Sequence, residues 1–143
     1  MHLSRLITLS PLAAASDHAF LALRVSVGAF LIWGVWDNIT SAEHMATFVA
    51  FLRQFGFPAP ELLAPLDVGV QFACGALFVL GLLTRWAGLL CAVNFVIAIV
   101  MVDHLQGWRG SFGSMCLVAI GLVLATHGPG RFALDRLIRP AAG

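Results

Sequence analysis

The sequence predicts an all-α integral membrane protein: a bundle of four spanning helices, with one amphipathic helix lying on the surface in the first outer loop. Three observations carry this. Hydrophobic residues make up 60% of the 143 and charged residues only 10%, against about a quarter charged in a soluble domain. Four stretches are long and apolar enough to cross a hydrocarbon core about 30 Å thick, which takes about 20 residues of helix. A fifth stretch repeats its apolar residues at helical spacing while keeping its other face polar.

The spans are placed at about 19–36, 62–83, 86–102 and 112–126, within a single membrane domain covering 1–143. Lipid offers no hydrogen bonds to an open backbone, and these runs are too long for barrel strands, so each must be a helix. Thr84 and Arg85 form the tight turn that makes the second and third spans antiparallel neighbours. An even number of spans puts both chain ends on one side.

Between the first two spans, about 44–57 carries Met45, Phe48, Val49, Leu52 and Phe55 on one helical face. That pattern predicts a surface helix capping the bundle's outer end. Pro58, Pro60 and Pro65 in GFPAPELLAP then break it and turn the chain into the second span. A re-entrant hairpin is the alternative reading of this loop.

Positively charged residues flanking spans are retained in the cytoplasm. Arg5, Arg85, Arg131, Arg136 and Arg139 fall on one side, Arg53 and Arg109 on the other, which predicts two cytoplasmic termini. A competing reading takes Met1 to about Ser16 as a cleaved signal peptide, but Pro11 and the short apolar run weigh against it. The net charge is +1 with no lysine and scattered arginines, which argues against nucleic acid as a partner. The bilayer is the first partner, with a membrane or periplasmic protein and a second copy of the chain as further candidates.

A polar side chain inside hydrocarbon asks for a partner or a purpose. The spans contain Arg24, Asp67, Gln71 and Asn94. Asp67, Gln71 and Cys74 stand at i, i+4 and i+7, one helical face. At about 1.5 Å per residue, Arg24 and Asn94 lie roughly 12 Å from the inner surface and Gln71 roughly 18 Å. This layer predicts an internal ligand-binding site in which Arg24 donates to the Gln71 amide oxygen. Its structural alternative has Arg24 reaching back toward the inner headgroups and the other polar groups holding helices together. Asp37, His44, Asp103 and His104 fall at the outer face, where they would line an entrance.

No His or carboxylate spacing marks a metal site. Cys74, Cys91 and Cys116 sit in apolar runs without a CxxC motif and read as buried small residues. Trp33, Trp36, Trp86 and Trp108 read as interfacial belt residues. His18 and His127 near the inner helix ends read as headgroup-level side chains, with haem ligation as the alternative. Gly69 with Ala73, Gly88 with Ala92 and Gly121 with Ala125 are spaced for close helix packing. Gly128, Pro129 and Gly130 stop the last span, after which Asp135 is placed to pair with Arg131 or Arg139.

The segments LALRVSVGAFLIWG, FLRQFGFPAP, CGALFVLGLLTR and HGPGRFALD, in that order, resemble the successive motifs of the DoxX family over about Phe20 to Asp135. Arg24 and Gly28, then Gly75, Gly81 and Arg85, then Gly128, Gly130 and Asp135 match the family's pattern. The resemblance implies a four-helix bacterial inner-membrane protein, similar to the membrane subunit of thiosulfate:quinone oxidoreductase or to members linked with thiol and oxidative-stress systems. It implies an accessory redox subunit that docks a partner and binds a quinone or other lipophile. A quinone-dependent oxidoreductase in its own right, and a small transporter or assembly factor using Arg24 as a contact, are the alternatives. Where family members often carry a glutamate in the second helix this chain has Gln71, and the basic residue after the first helix is replaced around Asp37. A proton-handling carboxylate there would then be lost in this chain, or its role moved to Asp67.

Overall fold

A computed structural model of the protein describes residues 14–138, which are helical with no strand among them. Arg5, Arg139 and most of the signal-peptide alternative lie outside the described residues. The elements are α1 (Ser16–Thr40), α2 (Ala42–Gln54), α3 (Pro60–Leu80), α4 (Thr84–Met101), a 3-10 turn (Asp103–Gln106), α5 (Gly107–His127) and α6 (Asp135–Ile138). Helices α1, α3 and α4 are each long and apolar enough to span a membrane, as is α5 together with the turn before it.

Helix α1 outruns its expected length at both ends because nothing in its flanks breaks it. Thr40 donates its hydroxyl back to the Trp36 carbonyl at 3.0 Å, and the helix stops only where Ser41 turns extended. Its inward face is Arg24, Gly28, Leu31 and Val35, a spacing of four, three and four residues. Ser41 then caps α2 by accepting from the His44 amide at 3.4 Å. All five apolar residues expected on the inner face of α2 are half-buried or buried, and its other face is exposed. This is one continuous helix rather than a re-entrant hairpin. It ends as Gly56 adopts a left-handed backbone, with the Phe57 amide donating to the Leu52 carbonyl at 3.1 Å.

Pro60 starts α3 with its ring-fixed dihedral. The turn between the second and third spans falls at 81–83 rather than at Thr84 and Arg85. Gly81 takes a left-handed conformation (φ 68°) and the Leu82 amide bonds back to the Leu77 carbonyl at 3.0 Å. The next helix starts early because the Asp135 carboxylate accepts from the amides of Leu83 (2.7 Å) and Thr84 (3.0 Å). Helix α5 also begins before the expected residue 112. Its polar first turn is closed by Ser111, whose hydroxyl donates to the carbonyls of Asp103 (2.9 Å) and Gly107 (3.1 Å).

The spans pack as two tight antiparallel pairs, α1 with α3 and α4 with α5, joined mainly through α3 and α4. Each pair crosses on reciprocal glycines. A Cβ added to Gly28 would lie 2.6 Å from the Gly75 carbonyl oxygen, and one added to Gly75 would lie 2.7 Å from that of Gly28. Gly88 and Gly121 do the same at 2.6 and 2.7 Å. Backbones in contact gain dispersion energy that longer side chains would prevent, and in lipid that gain is a main source of helix association. Gly69, of the same small-residue class, faces open space. The buried centre is Leu31, Cys74, Phe78, Ala87, Cys91, Leu117 and Leu124. Cys74 donates to the Ala87 carbonyl at 3.5 Å. Trp33, Trp86 and Trp108, at 80%, 72% and 71% exposure, project away from the bundle.

Gly28→Val is expected to destabilise the bundle by about 1–3 kcal/mol or more, since its branched Cβ meets backbone that cannot yield. Gly69→Ala should stay within about 0.5 kcal/mol of the parent. Thermal unfolding in detergent checks the pair; equal midpoints would show that the crossing is not tight.

Candidate functional site

On α3, Asp67 and Gln71 are one turn apart, and the Gln71 amide nitrogen donates to Asp67 Oδ2 at 2.8 Å. From α4, Asn94 lines the same cavity as this pair. That cavity, of about 530 Å³, lies between α3 and α4, at the end of the bundle opposite the tail. Phe48, Phe51 and Leu52 of α2 roof it, so the surface helix supplies one wall. The remaining wall is mostly apolar, contributed by residues such as Val70, Leu90, Phe95 and Met101. Asp103 and Gln106 from the 3-10 turn add polarity near its mouth, and the Ser114 hydroxyl donates to Asp103 Oδ2. A pocket of this size, apolar with a few convergent polar groups, is the usual form of a small-molecule site.

Arg24 does not belong to this group. Its expected bond to the Gln71 amide oxygen is replaced by donation from both terminal nitrogens to the carbonyls of Pro129 and Phe132, in the tail beyond α5. The side chain is 2% exposed. Helical side chains lean toward the N-terminus, which carries the guanidinium away from Asp67. There it meets carbonyls that have no helical partner, because Gly128 and Gly130 (φ 95° and 75°) fold the tail across the end of the bundle. Asp135 likewise is held by the amides that start α4 rather than by Arg131, and Arg139 lies outside the described residues. Arg131 instead lies 3.8 Å from Asp17 in an exposed pair. Arg85, read as a turn residue, donates to the carbonyls of Ala125 (2.9 Å), Thr126 (2.6 Å) and His127 (3.3 Å). It thereby satisfies the open C-terminus of α5.

Of the four residues expected at the outer entrance, Asp103 alone lines the cavity. The other three work locally at helix ends. The Asp37 carbonyl accepts from the Ser41 amide at 2.9 Å, the His44 amide completes the cap on Ser41, and His104 Nδ1 lies 3.2 Å from the Ile99 carbonyl. His18 and His127 each pack at a tilt against a different ring, Phe132 at 5.0 Å and Phe20 at 4.6 Å between centroids. Among the described residues no group of three His, Cys, Asp or Glu could hold a metal. The aromatic wall of the cavity was the part that sequence reasoning missed. Its signal was the apolar face of α2, read as a cap on the bundle's outer end with no pocket beneath it.

The DoxX family pattern matches residues 19–104. The chain belongs to the DoxX family. The matched region runs from α1 into the 3-10 turn and contains every residue of the cavity except Gln106. An uncharacterized membrane protein of Mycobacterium tuberculosis is 33% identical over 104 residues, an alignment covering 63% of this chain and 64% of that protein. No solved structure matches this DoxX-family chain. The tail residues that hold Arg24 lie beyond the matched region, while Arg24 itself lies within it.

Arg24→Met is expected to release the tail, because bonds from a charged donor contribute about 1.5–3 kcal/mol each. Limited proteolysis should then cut within 128–134, with a lower unfolding midpoint. A tail as protected as in the parent would show that Arg24 does not hold it.

Proposed function

We propose that the chain is an accessory membrane subunit of a quinone- or sulfur-linked redox system, holding a quinone or similarly shaped lipophile in the cavity under α2. It sits in the bacterial inner membrane with both termini cytoplasmic, the orientation the arginine distribution favours. One observation carries the reading: an apolar chamber of about 530 Å³ within the spanning region, with its polar groups gathered at Asp67, Gln71, Asn94, Asp103 and Gln106.

The chamber suits an amphiphile whose head meets the polar groups while its tail lies along apolar wall toward the lipid. Phe48, Phe51, Phe57 and Phe95 offer ring faces and edges for a planar head group. Gln71, Asn94 and Gln106 are the amides in reach of head-group oxygens. When bound, a quinone would supply the capacity to carry electrons and protons. No cysteine of this chain lines the chamber; Cys74 and Cys91 are buried in the helix packing. The reading places the electron donor on a partner protein, with this chain as the accessory subunit. The exposed face of α2, with Glu43, His44, Thr47 and Gln54, is the surface offered to a periplasmic partner.

Purification in mild detergent followed by organic extraction should recover close to one quinone per chain. Val70→Trp, which fills the chamber, should reduce that recovery about tenfold or more while the protein stays folded, since a displaced ligand loses most of its buried contact. Parent protein carrying neither quinone nor a copurifying redox partner would overturn the reading.

A further inference from the structure

The five polar side chains lining the cavity are Asp67, Gln71, Asn94, Asp103 and Gln106. What they can offer a ligand follows from the bonds they already make. An amide can bond a carboxylate only through its NH2 group, so the bond from Gln71 to Asp67 commits a donor and leaves the Gln71 carbonyl oxygen over. Asn94, across the cavity on α4, and Gln106 each bring an amide with both donors and an acceptor oxygen. The Ser114 hydroxyl is spent on Asp103 Oδ2, leaving Oδ1 to accept. Among the described residues lining the cavity there is no Arg, His, Trp, Ser or Thr. The remaining donors are amide hydrogens, whereas the remaining acceptors include two carboxylates.

We propose that the cavity selects the reduced, hydroquinone form of its ligand over the oxidised quinone, a refinement that rests on reading the chamber as a quinone site. A quinone head presents only carbonyl oxygens, which can take the spare amide hydrogens of Gln71, Asn94 and Gln106 but set acceptor against acceptor at the half-buried carboxylates of Asp67 and Asp103, whose free oxygens gain nothing from it. A hydroquinone presents two O–H donors. Asp67 on α3 and Asp103 on the 3-10 turn stand on separate elements of the lining, and each has an oxygen free to accept one of them. The phenylalanines around the chamber favour an aromatic ring between the carboxylates over a long-chain ammonium, which would need only one of them.

The test uses the purified full chain in detergent under anaerobic conditions. Equilibrium dialysis would compare a short-tailed benzoquinone, its hydroquinone and the dimethyl ether of that hydroquinone, which keeps the shape without the donors. Hydrogen bonds to charged acceptors predict that the hydroquinone binds about tenfold or more tighter than either of the others. Asp67→Asn, and independently Asp103→Asn in case one variant fails to fold, should shrink that preference severalfold, with unfolding midpoints as the control. Quinone binding as tightly as hydroquinone would overturn the proposal while leaving the chamber a quinone site. A preference that survives in both folded variants, or a long-chain alkylammonium that outcompetes the hydroquinone, would also overturn it. Binding of none of the compounds would overturn the proposal and the quinone site together.

Discussion

Two glycine crossings set the geometry on which everything else rests. Lipid tails are as apolar as leucine side chains, so helices in a bilayer gain little from hiding apolar surface and much from touching closely. Gly28 against Gly75 and Gly88 against Gly121 bring backbone against backbone. They tie α1 to α3 and α4 to α5 more closely than either pair is tied to the other. Where the pairs meet at the end opposite the tail, α3 and α4 leave a chamber, and α2 covers it. The candidate site is thus the space left over between two rigid units. Its shape depends on residues that do not touch it.

The two ends of the bundle do different work. At the tail end, three charged side chains are consumed by backbone: Arg24 by the carbonyls of Pro129 and Phe132, Arg85 by the last carbonyls of α5, and Asp135 by the first amides of α4. Arg85 and Asp135 answer groups that helix ends leave open, and Arg24 answers tail carbonyls that belong to no helix; lipid could satisfy none of them. These bonds tie the tail to the end of the bundle. At the other end, Gln71 bonds Asp67 and both, with Asn94, face a chamber. One end therefore reads as structure and the other as a site.

Much of this was legible in the sequence. The spans are determined by length and hydropathy, and the inner face of α2 by the spacing of Met45, Phe48, Val49, Leu52 and Phe55, because both are local properties of a helix in an apolar solvent. Asp67 and Gln71 share a face by spacing alone, and the mid-membrane depth of Asn94 pointed to the same layer. Gly88 and Gly121 were recognisable as packing residues. Gly69 carried the same signal and packs against nothing, since small-residue spacing states what a helix permits and not which neighbour accepts it.

The sequence by itself determined that lipid surrounds this chain and that four helices cross it, because hydrophobicity and backbone hydrogen bonding leave no other arrangement. It also marked which few polar residues lie at depth. Only the tertiary structure decided which of them meet. Arg24 and Gln71 lie at compatible depths, yet the long side chain of Arg24 found carbonyls more than a hundred residues away along the chain. Partner choice depends on the direction in which a side chain leaves its helix and on where a distant glycine-bent tail returns, and neither is encoded in local spacing.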